Sequence, residues 1–252
     1  MNTVSSFQVE IQSVSKSFMG KQALCQLNLD FLPGKMHGVI GPEGAGKTTL
    51  FRLMAGLLRV DSGQILFKKE GKILDFEQVR PKMAYMPERP CLYADLSISE
   101  HLDFFSALYG LTSTDYHAIR QRLLKITRLE EFVDRPAGKL SGGMYKKLGL
   151  MCSLLRSPEI LLLDEPTNGV DPISRREFWD LLYQLREQKV LIMISTAYMD
   201  EAERCDNAHL LQSGKVLATG APQELIQKEN VKSISDLFIK KAQKEIAGEP
   251  NG

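Results

Sequence analysis

Gly41-Pro42-Glu43-Gly44-Ala45-Gly46-Lys47-Thr48-Thr49 is a glycine-rich turn between two apolar segments of different period. The short run Val39-Ile40 precedes it, and Leu50, Leu53, Met54 and Leu57 follow at helical spacing. Strand, loop and helix start is the context that the G-x-x-x-x-G-K-[ST] phosphate-binding pattern requires. Without side chains at Gly41, Gly44 and Gly46, the main chain at Pro42, Glu43 and Ala45 is free to wrap a phosphate with inward N–H groups. The helix that follows adds unpaired N–H groups and the positive end of its dipole. Lys47 is expected to reach the β- and γ-phosphates of a nucleotide, and the Thr48 hydroxyl, followed by Thr49, to ligate Mg²⁺. A flexible glycine turn would also fit the pattern, but not its flanks. The expectation is an α/β fold around a nucleotide.

Working outward, Phe7, Val9 and Ile11 alternate with polar residues, as do Leu27, Leu29 and Phe31. Two half-buried strands therefore precede the loop and suggest an N-terminal antiparallel β-subdomain. Asp61-Ser62-Gly63 reads as a turn, Gln64–Phe67 and Lys82–Met86 as strands, the latter stopped by Pro87. From Ser97 the character is helical: Ser97-x-x-Glu100 is a capping box, with Leu102, Phe105 and Leu108 on one face. Tyr116, Ile119, Leu123 and Ile126 continue the period, so residues 88–157 read as a helical subdomain inserted into the core. Beyond Ser157-Pro158, Ile160–Leu163 and Val190–Ser195 alternate with helices at Ser174–Glu187 and from Met199, which argues for a mostly parallel, covered sheet. Ser213-Gly214 is a hairpin turn. The main domain is expected over residues 1–239, with 240–252 a charged tail.

Composition narrows the class. The chain has 252 residues, 43% apolar and 25% charged, with net charge +1. That balance gives no electrostatic pull towards nucleic acid, and none is expected as a partner. The dibasic pairs, among them Lys146-Lys147 and Lys240-Lys241, read mostly as solvated surface. Cys25, Cys91, Cys152 and Cys205 lack C-x-x-C spacing and read as free thiols. The first residues are polar and no apolar run approaches the ~20 residues that span a bilayer, so a soluble, cytosolic chain is expected.

Two further motifs sharpen the chemistry. Ile160-Leu161-Leu162-Leu163-Asp164-Glu165 is an apolar strand ending in two carboxylates. Asp164 is placed to hold Mg²⁺, and Glu165 to polarise the water that attacks the γ-phosphate. Leu140-Ser141-Gly142-Gly143-Met144 opens a helix and offers a second anion-recognising N-terminus. One γ-phosphate does not need two such ends in one chain, so this end is expected to face the nucleotide of another subunit.

With these three motifs in this order, the chain from residue 7 to about 239 resembles the ATP-binding cassette (ABC) family. The resemblance implies a P-loop NTPase core, bound ATP and Mg²⁺, and an ATPase made of two cassettes. Gly41–Thr49 is similar to Walker A, Leu140–Met144 to the signature and Ile160–Glu165 to Walker B; Asn168-Gly169-Val170-Asp171 is similar to the D-loop, whose Asp171 is expected at the seam. Phe18 resembles the aromatic A-loop position that stacks on adenine, although a phenylalanine of the core would read the same. Val170–Arg176, Tyr198–Glu203 and Ser235–Phe238 resemble the ATPase subunits of ABC-2 type exporters. The resemblance implies a peripheral place on the cytoplasmic face, with membrane-spanning permease subunits docking near Cys91–Ser97. The second cassette is left open between homodimer and heterodimer.

Two positions depart from the family. Met86-Pro87-Glu88 aligns with the Q-loop, where Glu88 replaces Gln; a carboxylate still suits Mg²⁺ but loses the amide donor. Ser195-Thr196-Ala197-Tyr198 aligns with the H-loop, where Ala197 replaces the switch histidine. Losing one positioned donor costs ~10²–10³ in rate, so slow hydrolysis is expected. A hydrolysis-impaired regulatory cassette, and a soluble ABC ATPase acting on nucleic acid or the ribosome, are the alternatives. None of His37, His101, His117 and His209 stands at the switch position, and all four read as structural or surface residues.

Overall fold

The computed structural model describes residues 7–247. The chain opens with the hairpin β1 (Phe7–Phe18) and β2 (Lys21–Phe31), then β3 (Met36–Ile40) and helix α1 (Lys47–Met54). The strands β4 (Ser62–Lys69) and β5 (Lys72–Leu74), the short α2 (Phe76–Val79) and β6 (Met83–Met86) follow. Three helices come next, α3 (Ile98–Tyr109), α4 (Ser113–Thr127) and α5 (Gly142–Leu154). The chain then alternates: β7 (Ile160–Asp164), α6 (Pro172–Glu187), β8 (Leu191–Thr196). It closes with β9 (Asn207–Gln212), β10 (Lys215–Gly220), α7 (Pro222–Glu229) and α8 (Ile234–Ala247).

Two sheets result. One is antiparallel, in the order β2-β1-β4-β5. The other runs β10-β9-β3-β8-β7-β6, parallel throughout except for the β9–β10 hairpin. The fold is thus an α/β P-loop NTPase core with a mostly parallel sheet and an N-terminal antiparallel layer. The reason lies in the strand pattern. Every residue of β3, β7 and β8 is buried, so these strands need cover on both faces. Along β7 and β8, Leu161, Leu163, Ile192 and Ile194 pack towards the helices. Their neighbours Ile160, Leu162, Leu191 and Met193 pack towards β1, β2 and α1. Each such burial stabilises the fold by roughly 1.5–3 kcal/mol.

Helices α3–α5 enter between β6 and β7, which are hydrogen-bonded neighbours in the sheet. The capping box forms: Ser97 Oγ accepts from the Glu100 N–H and Glu100 Oε2 from the Ser97 N–H. Leu102 is buried, but Leu108 is exposed and does not share its face.

Other expectations are corrected. Ser62-Gly63 begins β4 rather than a turn, because Ser62 pairs with Ser15 of β1. The segment from Met199 is a 3₁₀ turn ending at Arg204, too short for a helix between β8 and β9. Lys146 and Lys147 are buried, not solvated, because oxygen partners surround their ammonium groups. The charged stretch from 240 is not a loose tail over its first part: α8 runs through to Ala247, and buried Lys241 pairs with Glu229 at 2.7 Å. Residues 248–252 lie outside the described residues. The four cysteines are free. Of the four histidines, His37, His101 and His209 are buried and His117 is exposed.

Candidate nucleotide site

Gly46 caps α1 with φ 103°, a left-handed backbone, and a Cβ there would meet the Ala23 carbonyl oxygen at 2.7 Å. Only glycine passes that corner without strain. The first-turn N–H groups of α1, which no helix satisfies internally, then open into a pocket of about 760 Å³. Glu43 to Thr49 line one wall, Phe18 with Lys21, Gln22 and Ala23 another, and Glu88, Glu165, Asn168, Ala197 and Tyr198 complete it. Cavities of roughly 300–1,000 Å³ suit small-molecule ligands, and a nucleotide falls in that range.

The charged floor is tightly built. Lys47, Asp164 and Glu165 are only 5%, 1% and 8% exposed. Lys47 donates to the carbonyls of Gly41 at 2.7 Å and Pro42 at 3.1 Å, and pairs with Glu165 Oε1 at 2.9 Å. Glu165 has φ 47°, unusual for a residue with a long side chain. Its N–H is held by Ser195, and its Oε2 accepts from the Ala197 N–H at 3.2 Å. Asp164 is fixed by donors on both oxygens: Ser195 at 2.5 Å and Thr48 at 3.1 Å on Oδ1, Tyr85 at 3.1 Å on Oδ2. Burial, then the Asp164 charge, pushes the Tyr85 phenol up to about 12. That hydroxyl stays a donor across the physiological range.

The donor set fits Mg²⁺. The Thr48 hydroxyl on the pocket wall and the buried Asp164 carboxylate, 3.1 Å behind it, are hard oxygen ligands held side by side. Glu88 lines the same pocket, with Oε1 accepting from Asn168 Nδ2 at 3.0 Å.

The helix end expected to be a second anion site lies elsewhere. Ser141 caps α5, its Oγ accepting the Met144 N–H at 3.3 Å. Ser141 and Gly142 are exposed and, with Gly143, are absent from the pocket wall. Asp171 caps α6 through the N–H groups of Ile173 and Ser174. The Ser174 N–H holds its carboxyl below the ordinary aspartate range.

Sequence reasoning did not find Lys21, Gln22, Asn168 or Tyr198 in the wall, nor Lys146. The Lys146 ammonium donates to the carbonyls of Glu88 and Glu165, and burial lowers its pKa. A lysine two residues after Met144 carried no signal of this, because its partners are backbone atoms of distant segments.

Comparison with known proteins places these features in a common context. The family model described as ABC transporter matches residues 24–168. The probable multidrug ABC transporter ATP-binding protein YbhF of Escherichia coli (strain K12) is 42% identical over 221 residues, which are 87% of this chain and 38% of that protein. The chain therefore spans well under half of that relative's length. The Nod factor export ATP-binding protein I of Burkholderia lata is 35% identical over 222 residues, 88% of this chain and 73% of that protein. Among solved structures, an ATP binding subunit of an ABC transporter superposes with a TM-score of 0.80 and 28% identity, covering 93% of this chain and 99% of that one.

Proposed function

The chain belongs to the ABC transporter family, and on that premise we propose that it is the ATP-binding, ATP-hydrolysing subunit of an ABC-2 type membrane exporter. The observation that carries this reading is the convergence of the phosphate loop, Phe18, Glu88 and Glu165 on one pocket. The relatives named for multidrug transport and Nod factor export support the export direction.

Phe18 is 44% exposed on the pocket wall, available to stack on adenine. The N–H groups of Glu43 to Thr49 and the dipole of α1 receive the phosphates. Lys47 exchanges its carbonyl and carboxylate partners for phosphate oxygens, and so releases Glu165 to orient the attacking water. Bound Mg²⁺, held by Thr48 and Asp164 with Glu88 nearby, supplies positive charge to the phosphates. The end of α5, with Ser141 and Gly142 exposed and Gly143 buried behind them, meets the triphosphate of a second cassette together with Asp171. ATP closes the pair and hydrolysis reopens it.

Docking of the permease subunits is assigned to the Cys91–Ser97 segment on the cytoplasmic face of the membrane. Tyr93 and Phe104 are exposed there, edge to face at 5.5 Å, and His101 accepts the Tyr93 N–H at 2.9 Å. Among the described residues no helix is long and apolar enough to cross a membrane.

A second reading is favoured by Ala197 and Glu88: a slowly hydrolysing, regulatory cassette paired with an active one. The Glu165→Gln variant separates the two. In the motor reading it keeps ATP affinity, loses ~10²-fold or more in turnover and accumulates as an ATP-bound dimer in size-exclusion light scattering. Turnover indifferent to Glu165→Gln would defeat the catalytic assignment.

A further inference from the structure

At the end of the pocket where Glu165 lies, Ala197 offers only its backbone N–H, already spent on Glu165 Oε2. The next residue, Tyr198, also lines the pocket. Its ring lies against the Arg175 guanidinium, 4.3 Å from its centroid. Its hydroxyl donates to Asn168 Oδ1 at 3.5 Å, the long limit of a hydrogen bond, so that donor is weakly engaged. Asn168 is held from its other side by the 3.0 Å bond to Glu88.

The support behind the ring is not that of a surface tyrosine. Arg175 Nε donates to Glu201 Oε1 at 2.7 Å, and Nη2 reaches both oxygens of Asp200 at 3.2 and 3.0 Å. Glu201 is fully buried, and the same Oε1 accepts from Thr167 at 2.8 Å and Trp179 Nε1 at 3.0 Å. Glu201 Oε2 has no partner among the described residues. A buried carboxylate left half-satisfied is costly unless its position serves something. Here it fixes the guanidinium under Tyr198 and, through Thr167, the segment that carries Asn168. The body of the tyrosine is clamped while its tip is loose, the arrangement of a donor waiting for a better acceptor.

We propose that the Tyr198 hydroxyl is a catalytic donor to the terminal phosphate, supplying there the contact that Ala197 cannot, with Arg175 as its positioning residue. The inference rests on the ATPase reading above. Water forms the new bond to phosphorus, and the bond to the β–γ bridging oxygen breaks with its electron pair leaving on ADP. The water's proton passes to Glu165 and on to solvent. Tyr198 gives a hydrogen bond to a phosphate oxygen as charge develops and keeps its proton throughout.

The test compares the unaltered chain with Tyr198→Phe, each with and without Ala197→His, in steady-state Mg-ATP turnover and in binding of a fluorescent ATP analogue. Where turnover falls below detection, trapping of ADP with vanadate replaces it. The expected result is a kcat about 10- to 100-fold lower in Tyr198→Phe, with nucleotide affinity within about twofold. Ala197→His should then raise Tyr198→Phe by a larger factor than it raises the unaltered chain. Arg175→Met should lower kcat in the unaltered chain and do nothing further to Tyr198→Phe, because it acts through that ring. Equal turnover of Tyr198→Phe and the unaltered chain, a parallel fall in affinity and kcat, or equal gains from Ala197→His in both backgrounds would overturn the inference alone. A chain that binds no ATP would overturn the preceding reading and this one with it.

Discussion

The two helix ends proposed to receive phosphate are built to opposite standards. At α1, Lys47 is buried among two carbonyls and the Glu165 carboxylate, and Thr48 is tied to Asp164. At α5, Ser141 stands in solvent, bonded only to the start of its own helix. The first end carries its charge-handling groups with it, and the second carries none. The contrast teaches that one half of a site is complete within the chain. On the proposed function, the other half gains meaning only against a second copy or a relative.

The strongest way to break that contrast is to disable each end separately. Lys47→Ala should cost roughly 100-fold or more in ATP affinity of the isolated chain, since a charge-assisted phosphate contact is lost. Ser141→Arg should leave that affinity within about twofold, yet abolish ATP-dependent dimerisation and turnover. Calorimetry on dilute protein, with light scattering at high concentration, reads both. Similar losses of monomer affinity from the two variants would erase the distinction.

A finer contrast lies inside the second end. A Cβ on Gly143 would sit 2.4 Å from Ser174 Cβ in α6, whereas one on Gly142 would meet only the Gly169 carbonyl oxygen at 3.5 Å. Gly143→Ala should therefore destabilise the fold by about 1–3 kcal/mol. Gly142→Ala should stay within about 0.5 kcal/mol. Urea unfolding decides, and equal midpoints would show that Gly143 is free of packing duty.

The smallest effect belongs to the first end's foundation. His37 of β3 and His209 of β9 stack at 5.3 Å in the core, with His37 Nδ1 3.1 Å from His209 Nε2. Burial pushes them down to about 4 and about 3 respectively. Because both values lie below the unfolded value, the unfolded chain binds the protons first, and stability falls as pH drops below about 6.5. From pH 7 to pH 6 the loss should be roughly 0.7 kcal/mol per histidine, read as a lowered unfolding midpoint. Hydrogen exchange should quicken in β3 and β9 before it does in α5. A flat profile would mean that the pair takes up protons in the fold as it does in the unfolded chain.

Much of this was legible in the chain itself. The phosphate loop, the Asp164-Glu165 strand and the Ser141 helix start each couple a residue pattern to a change of apolar period, which survives without coordinates. Phe18 was legible only through its resemblance to the aromatic A-loop position. What could not be read depends on partners far apart in sequence: the Glu201–Arg175–Tyr198 stack joins α6 to the turn after β8. The Lys146-Lys147 pair looked like surface because charge normally is. The left-handed backbone of Glu165 has no glycine to announce it.

The attachment of the outer helices has a mechanical corollary. Strands β6 and β7 are parallel neighbours, so the chain leaves the sheet at the Met86 end of one and re-enters at the Ile160 end of the other, ~10 Å further back along the strand axis. The stretch from Pro87 to Glu159 is joined to the core through those two strands, through Leu148, Met151 and Leu154 of α5, which share one buried cluster with Leu161 and Ile192, and through Lys146 on the carbonyls of Glu88 and Glu165. Within that stretch the Gly138 N–H donates to the Ala94 carbonyl and the Tyr145 hydroxyl to the Pro90 carbonyl, so the aromatic tip near Tyr93 and the serine tip at Ser141 are tied together, and a push on one would be felt at the other.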